Sequence, residues 1–162
     1  PGMSRYNPSF SPGADLLVFS ESTCPGGDIT SVECDGDGDE SAKTYVIRPE
    51  PGSSPILLAK AGAPGAADAG KTDLADTFPR FSPFEGAEKQ GRIMWVTISS
   101  RRRAGLYDPN GNQLLWMFAI DPDKVLAGED GSYAPFFLPF QDLTTSNHIA
   151  EWTQHIYTDT PL

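Results

Sequence analysis

An acidic run is the part of this sequence best suited to binding chemistry. Asp35, Asp37 and Asp39 alternate with glycine, and Glu40 follows directly. Carboxylates with this spacing can place several oxygens around one hard cation such as Ca²⁺, and glycine permits the left-handed turns that such wrapping needs. The run is not an EF-hand, because Glu40 stands where that loop has glycine and Val46 stands at its twelfth position. We predict a calcium loop of another type, with a solvated acidic hairpin tip as the alternative.

The two cysteines, Cys24 and Cys34, lie in one segment rich in glycine and aspartate. A disulfide between them would pin a loop that has little apolar material, and would contribute about 2–3 kcal/mol by the loop-closure model. Two free thiols are the alternative. A disulfide requires an oxidising compartment, so we expect an extracytoplasmic location: periplasm, cell surface or secreted.

A phosphate-binding motif is matched letter for letter by residues 65–72, Gly-Ala-Ala-Asp-Ala-Gly-Lys-Thr. The chemistry of that motif requires a buried strand before it and a long helix after it. Pro79 would end any helix within two turns. We interpret the match as chance within a linker rich in alanine and glycine.

Basic side chains concentrate at Arg101, Arg102 and Arg103. They could bind a carboxylate-bearing partner or an acidic loop of the same chain. The interpretation that we favour is a solvated loop whose arginine stems cover apolar surface.

The sequence gives little sign of a catalytic site. His148 and His155 are seven residues apart, so a regular strand would place them on opposite faces, which argues against a two-histidine metal site. The sequence has no Gly-x-Ser-x-Gly elbow to present a nucleophile. We therefore predict that the chain is not an enzyme, with no catalytic residues and no cofactor besides the possible Ca²⁺.

Composition narrows the fold class and the partners. The chain has 162 residues, and its 16 glycines and 15 prolines favour short strands over long helices. Its formal net charge of −10 repels phosphate backbones, so nucleic acid is not an expected partner. No apolar run approaches the roughly 18 residues that cross a bilayer, so we predict no membrane-spanning segment.

An internal repeat organises the chain. Phe10-Ser-Pro precedes a β-prone run at residues 16–20, and Phe81-Ser-Pro precedes a similar run at residues 93–99.

Two further pairs of segments extend the repeat. Residues 43–49 match 113–122, since both are apolar runs that end in a charged residue and proline, and residues 55–59 match 135–139. The repeat predicts two units of about four strands each.

These units resemble blades of the TolB-like (PD40, WD40-like) β-propeller repeat family, in which an aromatic-Ser-Pro turn precedes an apolar strand. The resemblance implies an all-β fold: two four-stranded antiparallel blades plus an extra C-terminal strand, forming an incomplete ring. It divides the chain into a first blade with the Cys/Asp-rich loop (1–64), an interblade linker (65–77), a second blade (78–140), and a C-terminal closing strand and tail (141–162).

Aromatic residues indicate where the sheets would be covered. Within the tail, we expect a strand over residues 145–153, with Ile149 and Trp152 as buried anchors. Six aromatic residues are predicted to form the core between blades, with a sugar-stacking surface as the alternative: Trp95, Trp116, Phe118, Phe136, Phe137 and Trp152.

Two blades cannot close a ring, because propellers typically need four to eight. We expect the C-terminal blades of a longer bacterial propeller; a ring of several copies and docking on another subunit are the alternatives. The resemblance implies a non-enzymatic protein-interaction or scaffold module. The rival functions are the propeller portion of a peptidase or hydrolase, and a carbohydrate-binding ring assembled from several chains.

Overall fold

The computed structural model describes residues 3–24, 36, 39–84, 86–88 and 91–153. Within these residues, helix is limited to a 3-10 turn at Ala66–Asp68 and to α1 (Pro122–Leu126). Asp121 caps α1 by accepting hydrogen bonds from the backbone N–H groups of the next turn, and Pro122 stands at the first helical position. All other regular structure is strand, which confirms the predicted all-β class.

The first sheet contains four antiparallel strands in chain order: β1 (Ser4–Phe10), β2 (Leu17–Ser22), β3 (Lys43–Ile47) and β4 (Ile56–Leu57). The aromatic-Ser-Pro turn closes its first hairpin. The Ser11 hydroxyl accepts a hydrogen bond from the Leu16 N–H and donates one to Asp15. The serine of the motif therefore fixes the turn that aligns β1 with β2.

The second sheet repeats this order with β5 (Thr77–Phe81), β7 (Gly91–Ser100), β8 (Leu114–Ile120) and β9 (Phe136–Phe137). A short additional strand, β6 (Gly86–Glu88), pairs with the beginning of β7. This strand belongs to the insert that follows the second aromatic-Ser-Pro turn. The two predicted four-stranded antiparallel units are confirmed, and they form no closed barrel.

The repeat extends to an irregularity in the first strand of each sheet. The pairing of β1 with β2 shifts at a bulge that contains Asn7, and the pairing of β5 with β7 shifts at a bulge that contains Phe78. Both residues have left-handed backbone conformations, with φ of 53° and 50°. A bulge re-aims the side chains after it, so its presence in both sheets keeps their faces equivalent.

One hydrophobic core lies between the two sheets. Ser9 on β1 accepts a hydrogen bond from the Phe81 N–H of β5, so the side of the first sheet that carries Ser9 and Val18 faces the second sheet. The buried core residues come from both sheets: Leu16, Val18, Val46, Leu58, Ala61, Phe81, Met94, Val96, Ile98, Leu114, Trp116, Phe118, Ile120 and Val125.

The C-terminal strand expected over residues 145–153 is not formed. Polar side chains of this segment bind nearby backbone instead: Asn147 donates to the carbonyls of Asp142 and Thr145, and Ser146 accepts from the Gln113 N–H. The local bonds of Asn147 compete with a strand ladder. Ile149 is 42% exposed and has a left-handed φ, so it is not the expected buried anchor.

Candidate functional site

A buried arginine joins the two sheets at the end of β7. Arg102 is 2% exposed, and its guanidinium donates to the carbonyl of Ala61 at 2.7 Å and to the carboxylate of Asp76 at 2.5 Å. Ala61 follows β4, whereas Asp76 immediately precedes β5. The arginine therefore holds both ends of the connection between the sheets.

Asp76 is as inaccessible as its partner, and burial raises its pKa. Arg102, the Ser100 hydroxyl and Lys43 act in the opposite direction. A carboxylate removed from water depends on a nearby positive charge, so the Arg102 side chain is the main compensation for burying Asp76.

The neighbouring arginines have exposed carboxylate partners. Arg101 contacts Glu40 at 3.0 Å, and Arg103 contacts Asp108 at 2.5 Å. The Asn110 backbone N–H, followed by Arg103, lowers the pKa of Asp108. All three arginines thus pair within the chain. The Arg101–Glu40 pair fits the interpretation in which the run contacts an acidic loop of the same chain, and the burial of Arg102 does not fit a wholly solvated loop.

Half of the predicted calcium ligands can be placed. Asp35 and Asp37 lie outside the described residues. Asp39 is buried and accepts hydrogen bonds from the backbone N–H and hydroxyl of Ser41, while Glu40 pairs with Arg101. Within the described residues, no three His, Cys, Asp or Glu side chains are grouped so that they could hold a metal ion. The calcium site stays a prediction.

The predicted disulfide is only half described. Cys24 is buried just after β2, with its sulfur 3.9 Å from the Ser22 hydroxyl, and Cys34 lies outside the described residues. The disulfide also stays a prediction.

The segment that matches the phosphate-binding motif packs beside the arginines. Its Asp68 accepts a hydrogen bond from the Arg103 N–H at 2.8 Å and forms an ion pair with Lys71. A three-residue 3-10 turn occupies the segment, and the described residues 69–76 that follow contain no helix. The long helix that would complete a phosphate cradle is therefore missing here.

A cavity of about 350 Å³ opens next to this segment. Lys43, Lys71 and Thr72 line its exposed side, whereas Leu74 and Asp76 form part of its buried floor. Sequence reasoning missed Asp76, because a single aspartate before a strand carries no signal of burial.

The outer face of the first sheet is apolar and has no second sheet over it; its Phe19 ring is buried under neighbouring side chains, and Leu17, Tyr45 and Ile47 around it are half-buried. We call it the first open face and define it by Leu17, Phe19, Tyr45 and Ile47, with Arg5 beside them. The rings of Phe19 and Tyr45 stack 5.9 Å apart, and the Arg5 guanidinium lies 5.7 Å from the Phe19 ring centre. A shallow hollow of about 260 Å³ forms over Leu17, Phe19 and Ile47.

The outer face of the second sheet has a similar character. We call it the second open face and define it by Ile93, Trp95, Ala119, Tyr133 and Phe136, which line a hollow of about 320 Å³. Trp95 and Phe136 meet edge to face at 6.0 Å, and Phe136 is 44% exposed. Large apolar side chains thus border solvent on this side.

The six aromatic residues predicted as core lie in three places. Trp116, Phe118 and Phe137 pack in or against the core between the sheets, which agrees with their prediction. Trp95 and Phe136 lie on the second open face, and Trp152 is half-buried in the tail. Alternation along each strand separates the first two groups, and this could be found from the sequence only once the register was known.

His148 contacts an aromatic ring. Its imidazole meets Phe78 edge to face at 6.5 Å, so the histidine packs against the bulge of β5. His155 lies outside the described residues.

The described residues include no helix long and apolar enough to cross a membrane. No protein-family model, curated protein or solved structure significantly matches the chain.

Proposed function

We propose that this chain is a non-enzymatic protein-interaction and scaffold module: two blades of an extracytoplasmic TolB-like β-propeller whose outer faces are covered by protein. The stacked four-stranded sheets support this proposal, since each sheet buries one face against the other. The repeated aromatic-Ser-Pro turn and the repeated bulge support it further.

The observation that carries the proposal is the apolar character of both open faces. Phe19 and Tyr45 occupy the places in the first sheet that Ile98 and Trp116 occupy in the second, where both are buried in the core. Contiguous apolar patches rimmed by polar residues are typical of protein contact sites. Leaving both faces in water would forfeit hydrophobic stabilisation that a neighbouring protein surface could supply.

Carbohydrate binding is the second candidate function. The aromatic hollow formed by Trp95, Tyr133 and Phe136 favours it, because sugar rings can rest on aromatic faces. Nothing on the first open face calls for a sugar ligand, so carbohydrate binding would explain the apolar character of the second open face only.

Photo-crosslinking in the producing cells tests the proposal. A benzoylphenylalanine at Phe136 is expected to yield a covalent adduct with protein, because this ring would lie inside a contact. The matched control is the same residue at Leu106, a fully exposed side chain in the loop after β7, which should yield little adduct. Equal adduct at the two positions would contradict a covered face. Adducts confined to polysaccharide would favour the second candidate.

Calcium stabilisation is tested by the thermal midpoint. If the acidic run binds Ca²⁺, millimolar calcium should raise Tm relative to chelator, since a ligand that binds only the folded state stabilises it. The matched control, Asp35→Asn combined with Asp37→Asn, should abolish the increase. Equal Tm values in calcium and chelator would exclude the site.

A further inference from the structure

The contact between the sheets joins two different surfaces. The first sheet contributes the face with Val18 and Val46, and the second contributes the face with Val96, Ile98 and Phe118. Such a contact is heterologous, since neither surface meets a copy of itself.

Strand register relates each covered face to an open one. Phe10 pairs with Leu17 and Phe81 pairs with Val96, so Leu17 and Val96 are equivalent positions. Val96 lies on the covered face of the second sheet, whereas Leu17 lies on the first open face. The first open face is therefore the counterpart of the second sheet's covered face.

The converse relation also holds. Val18 in the first sheet is equivalent to Thr97 in the second. Val18 pairs with Val46 and Thr97 pairs with Met117, so Val46 is equivalent to Met117. Met117 pairs in turn with Phe136, in the same way that Val46 pairs with Ile56. The second open face is therefore the counterpart of the first sheet's covered face.

The two open faces consequently have the same relation to each other as the two faces that already meet inside the chain. Both retain large apolar residues, and the pairs Arg5–Glu21 and Arg48–Glu50 contribute polar groups on or beside the first sheet. An apolar centre with a polar rim is the usual anatomy of a protein interface.

Resting on the proposed function, we propose that a second copy of this chain occupies these faces head to tail: the second open face of one copy packs on the first open face of the next. The internal contact supplies the template, and the new contact continues the same stacking direction. Each added copy leaves one face of each kind free, so assembly extends or closes into a ring.

Two single-face variants test the direction of the contact. Ile47→Glu places a charge on the first open face, and Phe136→Glu places one on the second. Both positions are incompletely buried and lie near strand ends, so the sheets should still form. Circular dichroism and urea unfolding of each variant establish that it is folded before assembly is measured.

Sedimentation velocity over a concentration series gives the readout. The wild type should form dimers and larger species, while each variant alone should be monomeric, with self-association weakened at least about tenfold. An equimolar mixture of the two variants should form a one-to-one dimer and nothing larger, because one intact face of each kind remains. Leu106→Glu, away from both faces, should assemble like the wild type.

Three results would overturn the inference: a monomeric wild type at high concentration, a variant that still dimerises alone, or variants that stay monomeric when mixed. A variant that dimerises alone would indicate a symmetric contact through its intact face. A monomeric wild type whose Phe136 crosslinks to another protein would overturn self-assembly while leaving the proposed interaction module intact.

Discussion

The two sheets share one register but have opposite surroundings. Ile98 in the second sheet is buried between the sheets, whereas its counterpart Phe19 lies on the outer face of the first sheet, where it is 5% exposed and is covered by side chains such as Tyr45 and Arg5 rather than by another sheet. Trp116 and Tyr45 form another such pair. Apolar residues stand at these positions in both sheets, although only one sheet has a neighbour there. Each sheet therefore carries the side chains of a covered face, whether or not the chain itself supplies the covering sheet.

The largest expected effect concerns the buried Arg102–Asp76 pair, which joins the two sheets. Arg102→Ala should cost about 3–5 kcal/mol of unfolding free energy, because it leaves the buried Asp76 carboxylate without its counter-charge. Arg101→Ala is the matched control and should cost at most about 1 kcal/mol, since its pair with Glu40 is exposed. Urea unfolding measures both values, and similar costs would contradict a special role for the buried pair.

Truncation at equivalent positions tests the comparison directly. Val96→Ala should cost about 2 kcal/mol, because Val96 is fully buried in the core. Leu17→Ala should cost only about 1 kcal/mol in the monomer, although it removes one more carbon, because Leu17 is half-buried. Unfolding in dilute solution gives both values. A larger loss for Leu17 would show that the first open face is covered within the monomer.

The bulge offers a smaller test of the repeat. Asn7→Ala should be about 1 kcal/mol less stable than Asn7→Gly, because a side-chain Cβ penalises the left-handed conformation that glycine adopts freely. Thermal unfolding of the two variants provides the comparison. Equal stability would mean that Asn7 does not need its left-handed backbone, and the equivalence with Phe78 would be lost.

The smallest expected effect depends on pH and on the pair Asp15–Arg92, which spans the two sheets at 2.8 Å. Partial burial acts to raise the pKa of Asp15, but the Ser11 hydroxyl and Arg92 outweigh it, so the pKa falls below its ordinary 3.8. The ionised form is thus favoured by folding, and its contribution is present above pH 3.8 and lost as the pH falls through the folded-state pKa.

Asp15→Asn should therefore cost about 0.5 kcal/mol at neutral pH and progressively less in acid. Urea unfolding of both proteins at pH about 7 and pH about 2 measures the change. A difference that persists undiminished in acid would assign the loss to something other than the carboxylate charge.

Strand positions were largely predictable because their signals are local. The aromatic-Ser-Pro turns and the prolines at the ends of apolar runs mark β2, β3, β7 and β8 without knowledge of the fold. The tail was predicted wrongly, because its apolar residues Ile149 and Trp152 suggested a strand, whereas the Asn147 side chain binds the backbone locally.

The Arg102–Asp76 contact could not be predicted in the same way. Arg102 and Asp76 are separated by 26 residues, and their contact depends on where β5 begins relative to where β7 ends. The run of three arginines left carboxylate partners open as one of two interpretations. Which carboxylate each would meet, and which pair would be buried, follows only from the stacking of the sheets.

The terminal strands β4 and β9 contain only two residues each. A long flat terminal strand offers a row of unpaired amides and carbonyls on which foreign chains can add, the first step toward cross-β fibrils. β4 and β9 are too short to offer such a row of backbone groups to a fibril at these two sheet edges. At the opposite margins, β1 and β5 are linked through the Arg80 and Ser9 side chains. The β4 and β9 edges therefore offer little backbone for amyloid-type growth, while the outer faces of the two sheets stay accessible.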